Sequence, residues 1–107
     1  MQSTYKTKQQ KFVTFGLRET YHELGVFEFK IVLNPKFFKI AEFSNVVMKD
    51  SDDRAMKYSV ERWGRKINFK FTVDKTVSDG VSVVELDIID NNMKSSRCRL
   101  TFWVIKP

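Results

Sequence analysis

His22 is the one histidine of this chain, so a Ser-His-Asp or Cys-His arrangement could be built around it alone. It lies in "ETYHELG", a polar stretch that reads as a loop between the first two strands, where a lone imidazole is ordinarily just solvated. A zinc site needs several nitrogen or sulfur ligands, and one histidine with one cysteine does not supply them. "DSDD" (50–53) gathers carboxylates as a hard cation would require, but the calcium-loop spacing is missing, with no glycine at the sixth position. Asp and Ser bond their own backbone in tight reversals, so this run reads as a turn. Glu85 and Asp87 stand two residues apart, which puts both carboxylates on one face of a strand. Such a pair can do acid–base work, and it can equally answer bases on the next strand. The expectation is a non-enzyme, with no catalytic residue, metal set or cofactor assigned.

A second kind of chemistry needs aromatic rings among bases. "RKINFKFTV" (65–73) has the leading base and the F-x-F pair of an RNA-recognition octamer but lacks both of its glycines. Phe69 and Phe71 alternate in phase with Ile67 and Val73, which assigns the rings to the core and sends Lys70 outward. On the last run, Arg97, Arg99, Thr101 and Trp103 point away from Cys98, Leu100 and Phe102. If Lys70 shares that outward face, the result is a basic aromatic patch able to stack on a ring or base, with cation–π help of ~0.5–1 kcal/mol. Covering of Trp103 by the N-terminal segment is the competing expectation. Trp63, just before Gly64, could anchor a partner or close the end of a barrel. The candidate binding residues are therefore Lys70, Arg97, Arg99, Trp103 and Trp63.

Those residues need a scaffold, and composition describes it. Ten Phe, three Tyr and two Trp in 107 residues, beside many Val and Ile, favour pleated, half-buried surfaces. The length fits one domain with a single core. Net charge is +6, and it is segregated along the chain. Residues 76–90 carry Asp79, Glu85, Asp87 and Asp90 with no base, while 91–107 carry Lys94, Arg97, Arg99 and Lys106 with no acid. Segregation of this sort either makes a positive field for phosphate or lets neighbouring strands of opposite sign pair; the pairing is the expectation here. Cys98 has no partner for a disulfide, and its alternating neighbours place it inward as a small hydrophobe. No stretch approaches the ~20 apolar residues of a membrane-spanning helix, and the polar start "MQSTYKTKQQ" reads as a flexible lead-in, residues 1–10.

Period-2 runs then fill residues 11–107 as one domain. "KFVTFGLRE" (11–19) puts Val13, Phe15 and Leu17 on one face. "GVFEFKIVLNP" (25–35) does the same with Phe27, Phe29, Ile31 and Leu33, and 36–49 supplies one or two short strands. In 51–63 a helix with a Ser51 cap competes with a strand carrying Met56, Tyr58 and Val60; the flanking turns favour the strand. From Ile67 onward the alternation is clear, with turns at "SDG" (78–80) and "DNNM" (90–93). Turn signals about every ten residues predict an all-β, antiparallel sandwich of about seven to eight strands, with a small β-barrel as the alternative.

"DGVSVVELDIIDNNMKSSRCRLTFWVIKP" (79–107) resembles the last two strands of bacterial immunoglobulin-like or fibronectin-like modules, in which an Asp-Gly turn opens a penultimate strand and a polar turn leads to a final amphipathic one. That resemblance implies an Ig-like sandwich; the paired cysteines around a tryptophan seen in antibody domains are absent. The expected function is a structural or interaction module of a larger surface, secreted or phage structural protein, with a protein or glycan partner. Extracytoplasmic or cell-surface placement is favoured over the cytosol, and membrane insertion is not expected. The alternative is a small basic β-protein that binds nucleic acid through Lys70, Arg97, Arg99 and Trp103.

Overall fold

A computed structural model describes residues 2–6, 13–15 and 19–107 of the chain, which form nine strands in two sheets. In chain order they are β1 (Gln2–Lys6), β2 (Val13–Phe15), β3 (Thr20–Tyr21), β4 (Gly25–Val32), β5 (Glu42–Lys49), β6 (Tyr58–Trp63), β7 (Lys66–Val73), β8 (Gly80–Ile89) and β9 (Ser95–Val104). One sheet has the order β1-β4-β7-β6; the other runs β2-β9-β8-β5, with β3 also paired to β9. The two separate sheets make a sandwich rather than the closed barrel kept as the alternative.

The inward residues are those whose period announced them. Ile67, Phe69, Phe71 and Val73 on β7 meet Phe29 and Ile31 on β4 across the sheet, and all six are buried. From the other sheet Val84, Leu86 and Ile88 on β8 and Cys98, Leu100, Phe102 and Val104 on β9 close over them. Aromatic contacts run within and between the layers. Phe29 stacks on Phe69 with centroids 4.9 Å apart, Phe71 meets Phe102 at 4.9 Å, and Tyr21 sets its edge against both Phe71 and Phe102. Offset and edge-on ring pairs of this kind add to simple area burial, which suits a core rich in phenylalanine.

Three places depart from the sequence expectation. Residues 2–6 are not a flexible lead-in: they form β1, paired parallel with Glu28–Val32 on the free edge of β4. Residues 7–10 lie outside the described residues. The sandwich is also not wholly antiparallel, because β1, β2 and β3 all make parallel pairs. The N-terminal stretch thus edges one sheet and then the other. Local alternation reveals that a run is extended but not which strand it will lie beside. Within 11–19 only Val13–Phe15 and Glu19 are described, and Leu17 lies outside the described residues.

The third departure is β5. Its register against β8 slips between Ser44 and Val47, and Asn45 there has φ 53°. Three steps on β5 cover two on β8, so Phe43, Val46 and Met48 all turn to the core although strict alternation forbids it. Of the one or two short strands expected in 36–49, the chain forms one, and this bulge breaks its alternation. The segment 51–63 resolves as a turn at 51–53 followed by β6, the strand that the flanking turns favoured.

Candidate functional site

The proposed basic patch divides when the strands are placed. Lys70 sits on β7 in the four-stranded sheet, whereas Arg97, Arg99 and Trp103 sit on β9 in the other. Lys70 and Arg99 therefore point out of opposite sides of the sandwich and share no face. This corrects the expectation that they form one surface. The sequence carried the right alternation for each strand, but only pairing order decides which outward faces adjoin.

On the β8–β9 side the charges answer each other. Asp87 stands opposite Arg97 in the ladder and Glu85 opposite Arg99. The Arg97 guanidinium reaches Asp87 at 3.1 Å and Glu85 at 3.4 Å, and it donates to the Asn45 carbonyl at 3.0 Å. Asn45 completes the cluster by donating its side-chain amide to Asp87 at 2.7 Å. The Asn45 amide and then Arg97 hold the Asp87 carboxyl below its ordinary pKa, so it stands as an engaged carboxylate. Neighbouring strands of opposite sign here pair with each other, as the charge segregation led one to expect. Arg97 is thereby engaged by its own sheet rather than held out for a ligand. Trp103 is 38% exposed, and its flank is taken by the N-terminal segment: its N–H donates to the Glu19 carbonyl and Thr20 pairs beside it.

Of the other reactive groups, the thiol is turned inward and the turn aspartates are engaged. Cys98 is fully buried, and burial raises its thiol pKa to about 12. In the "DSDD" turn, Asp50 is buried and accepts N–H bonds from Asp52, Arg54 and Ser78 at 3.0–3.1 Å. Asp53 pairs with Lys49 at 3.3 Å. A second turn repeats this design: Asp90 accepts from the N–H groups of Asn92 and Lys94, as Asp50 does from Asp52 and Arg54. Both turns place their fourth residue, Asp53 or Met93, at φ 63°. His22 is exposed in the link between β3 and β4. Among the described residues, no group of three or more His, Cys, Asp and Glu side chains could hold a metal ion.

What stays open is the outer face of the four-stranded sheet. Its register sets Glu28 opposite Lys70, Lys30 opposite Asn68 and Val32 opposite Lys66; on the far side of β7 lie Ser59, Glu61 and Trp63 in the same order. Lys70 is tied to Glu28 at 3.4 Å. Among the described residues no ion pair engages Lys30 or Lys66. Trp63 ends β6 with 80% of its surface exposed, the most open large apolar side chain described. Gly64, at φ 60°, turns the chain straight from Trp63 into β7, which brings the indole beside Lys66. A shallow hollow of about 340 Å³ lies over Asn68, edged by Trp63 and the lysines. Of the five sequence candidates, this face unites Trp63 and Lys70. It adds Lys30, Lys66 and Asn68, whose adjacency required the strand order β4-β7-β6.

Comparison with known proteins finds no matching family and no matching curated protein. Among solved structures, the chain is similar to a 2,6-sialyltransferase of a Vibrionaceae Photobacterium species, solved with the donor product CMP and the acceptor substrate lactose. Identity is 8% and the TM-score 0.48, over 92% of this chain but 19% of that one, and this likeness carries no argument about activity.

Proposed function

We propose that this protein is a non-enzymatic interaction module with an Ig-like sandwich, one piece of a larger surface, secreted or phage structural protein, and that it recognises its partner with the outer face of the β1-β4-β7-β6 sheet. The Ig-like reading is supported by strand order: β4-β7-β6 facing β9-β8-β5 follow the B-E-D and G-F-C order of constant-type immunoglobulin domains, while β1 takes the place of A but pairs parallel instead of antiparallel. The recognition reading is carried by Trp63. An indole left 80% exposed contributes little to folding, and aromatic side chains in such positions are the commonest anchors of binding surfaces. Two of the groups that could run a reaction, by contrast, are engaged elsewhere, Asp87 by Arg97 and Asn45, and Cys98 by the core, and the exposed His22 stands as a single imidazole in a link.

Two measurements test this reading. If Trp63, Lys30 and Lys66 serve recognition, their alanine variants should melt within about 3 °C of the parent in thermal denaturation followed by circular dichroism. A larger fall for Trp63→Ala makes the indole a structural residue and removes the proposed surface. Fluorescence anisotropy of labelled single- and double-stranded oligonucleotides at two salt concentrations provides the second test. Flat titrations are expected. Micromolar binding that collapses at the higher salt through counterion release would transfer the function to nucleic acid.

A further inference from the structure

The donor and acceptor pattern on this face narrows the partner's chemistry, and the step rests on the reading just given. The lining of the hollow interleaves Lys30, Lys66 and Lys70 with Glu28 and Glu61, and sets the Asn68 amide between them. A nucleic-acid groove concentrates cations, because every phosphate it meets is negative; here Glu28 and Glu61 would face those phosphates. A protein-binding patch centres on a cluster of desolvated apolar and aromatic side chains; here one indole stands among charges. Hydroxyl groups both donate and accept, so a surface alternating ammonium, amide and carboxylate groups suits a polyhydroxylated ligand. The flat indole of Trp63 offers an apolar plane for the C–H face of a sugar ring.

Two cations are left over. Lys70 already holds Glu28 at 3.4 Å, while Lys30 and Lys66 have no ionic partner among the described residues. Lys66 stands directly opposite Trp63 in the β6–β7 ladder, so a ring stacked on the indole brings its substituents to that ammonium. From Trp63 to Glu28 the sheet spans two strand spacings across and four residues along, a diagonal of about 16 Å. That is the length of a short oligosaccharide. We infer that the outer face of β4, β7 and β6 binds a short oligosaccharide bearing a carboxylate, with one ring stacked on Trp63, the carboxylate taken by Lys66 with help from Lys30, and ring hydroxyls shared among Asn68, Glu61 and Lys70.

The test is NMR titration of the intact 15N-labelled protein with two probes that differ in a single group: cellotriose, and cellotriose with one terminal ring oxidised to the uronate. The Trp63 indole N–H resonance, assigned with Trp63→Phe, should shift on addition of the uronate sugar together with the backbone amides of Lys66 and Asn68. The uronate sugar should bind at least tenfold more tightly than cellotriose. Trp63→Ala should abolish both interactions, and Lys66→Ala should bring the two affinities within about twofold of each other, because it removes the ammonium and leaves the stacking plane. Equal binding of the two sugars by the parent protein overturns the carboxylate assignment. Shifts confined to Trp103 or to the β8–β9 face overturn the location. If neither sugar moves the Trp63 resonance while Trp63→Ala melts with the parent, the saccharide proposal falls and the interaction-module reading stands. If Trp63→Ala melts far below the parent, it is the interaction surface itself that fails.

Discussion

Asp50 is a buried carboxylate whose partners are all backbone. Burial alone pushes its carboxyl pKa up, but hydrogen bonds from the N–H groups of Arg54, Ser78 and Asp52 outweigh that, with the Arg54 charge adding to them, and its pKa lies below the ordinary 3.8. Asp74, through the Thr76 hydroxyl and N–H, and Asp87, through Asn45 and Arg97, are shifted the same way. Each of these groups binds its proton less readily in the folded chain than in the unfolded one. Their stabilisation is therefore fully present above the unfolded value and is lost as pH falls through the lower folded values. Thermal denaturation should show a melting temperature that is level from neutral pH down to about pH 5 and falls below about pH 4. Asp50→Ala strands three N–H groups that tie 50–54 to Ser78, and it should cost about 2 kcal/mol at neutral pH by urea denaturation. A loss under 0.5 kcal/mol would mean that water replaces the carboxylate without penalty. Raised stability on acidification would contradict the direction of all three shifts.

At the scale of elements, the turns decide how the sheets meet. Gly80 opens β8 at φ 127°, and a Cβ there would lie 2.8 Å from the Ser51 Cβ and 2.9 Å from its Oγ. The same Ser51 hydroxyl donates to the Asp79 carbonyl at 2.6 Å, so the "DSDD" turn is packed against the start of β8. Gly80→Ala meets both a forbidden backbone angle and a contact shorter than side chains accept. It should destabilise the domain by about 2 kcal/mol or more in urea denaturation. Ser51→Gly in the Gly80→Ala background should recover the steric part but not the whole loss, since the angle stays unfavourable and the hydroxyl's bond to the Asp79 carbonyl is gone. A neutral Gly80→Ala would show that β8 can begin one residue later without loss. The β8–β9 ladder is a second case of element-level design. Its acids and bases lie on one face because the turn at 90–94 fixes the register, and that ladder accounts for Arg97 without a ligand.

For the whole molecule, the relevant observable is how the core opens. Cys98 sits fully buried between Leu86, its partner on β8, and the layer of phenylalanines, with its thiol pKa raised to about 12. Only the thiolate reacts, so a disulfide reagent at pH 8 has almost no target while the sandwich stays closed. Labelling of the native protein should proceed at the rate set by opening of the domain, orders of magnitude slower than in denaturant, and should speed up in destabilised variants such as Gly80→Ala. Stoichiometric labelling of the native protein within seconds would place Cys98 in a locally open β9.

The residues bearing on these outcomes differ in how legible they were. Ile67 to Val73, Val84 to Ile88 and Cys98 to Val104 declare their inward faces in the sequence, because a strand's side chains alternate whatever lies next to it. The turn at 90–93, the inward Cys98 and the pairing of acidic with basic stretches follow from equally local chemistry. The sequence by itself therefore determined an all-β chain, with sandwich and barrel both open, and which half of β7, β8 and β9 faces inward. Only the tertiary structure decided which wet faces adjoin. It separated Lys70 from Arg99, joined Lys70 to Trp63, Lys66 and Lys30, made β1 from residues 2–6, and reversed the phase of β5 through the bulge at Asn45. The physical reason is that alternation is a property of one strand, whereas a surface is made by neighbours. Neighbours are chosen by long-range pairing and packing that no local pattern encodes.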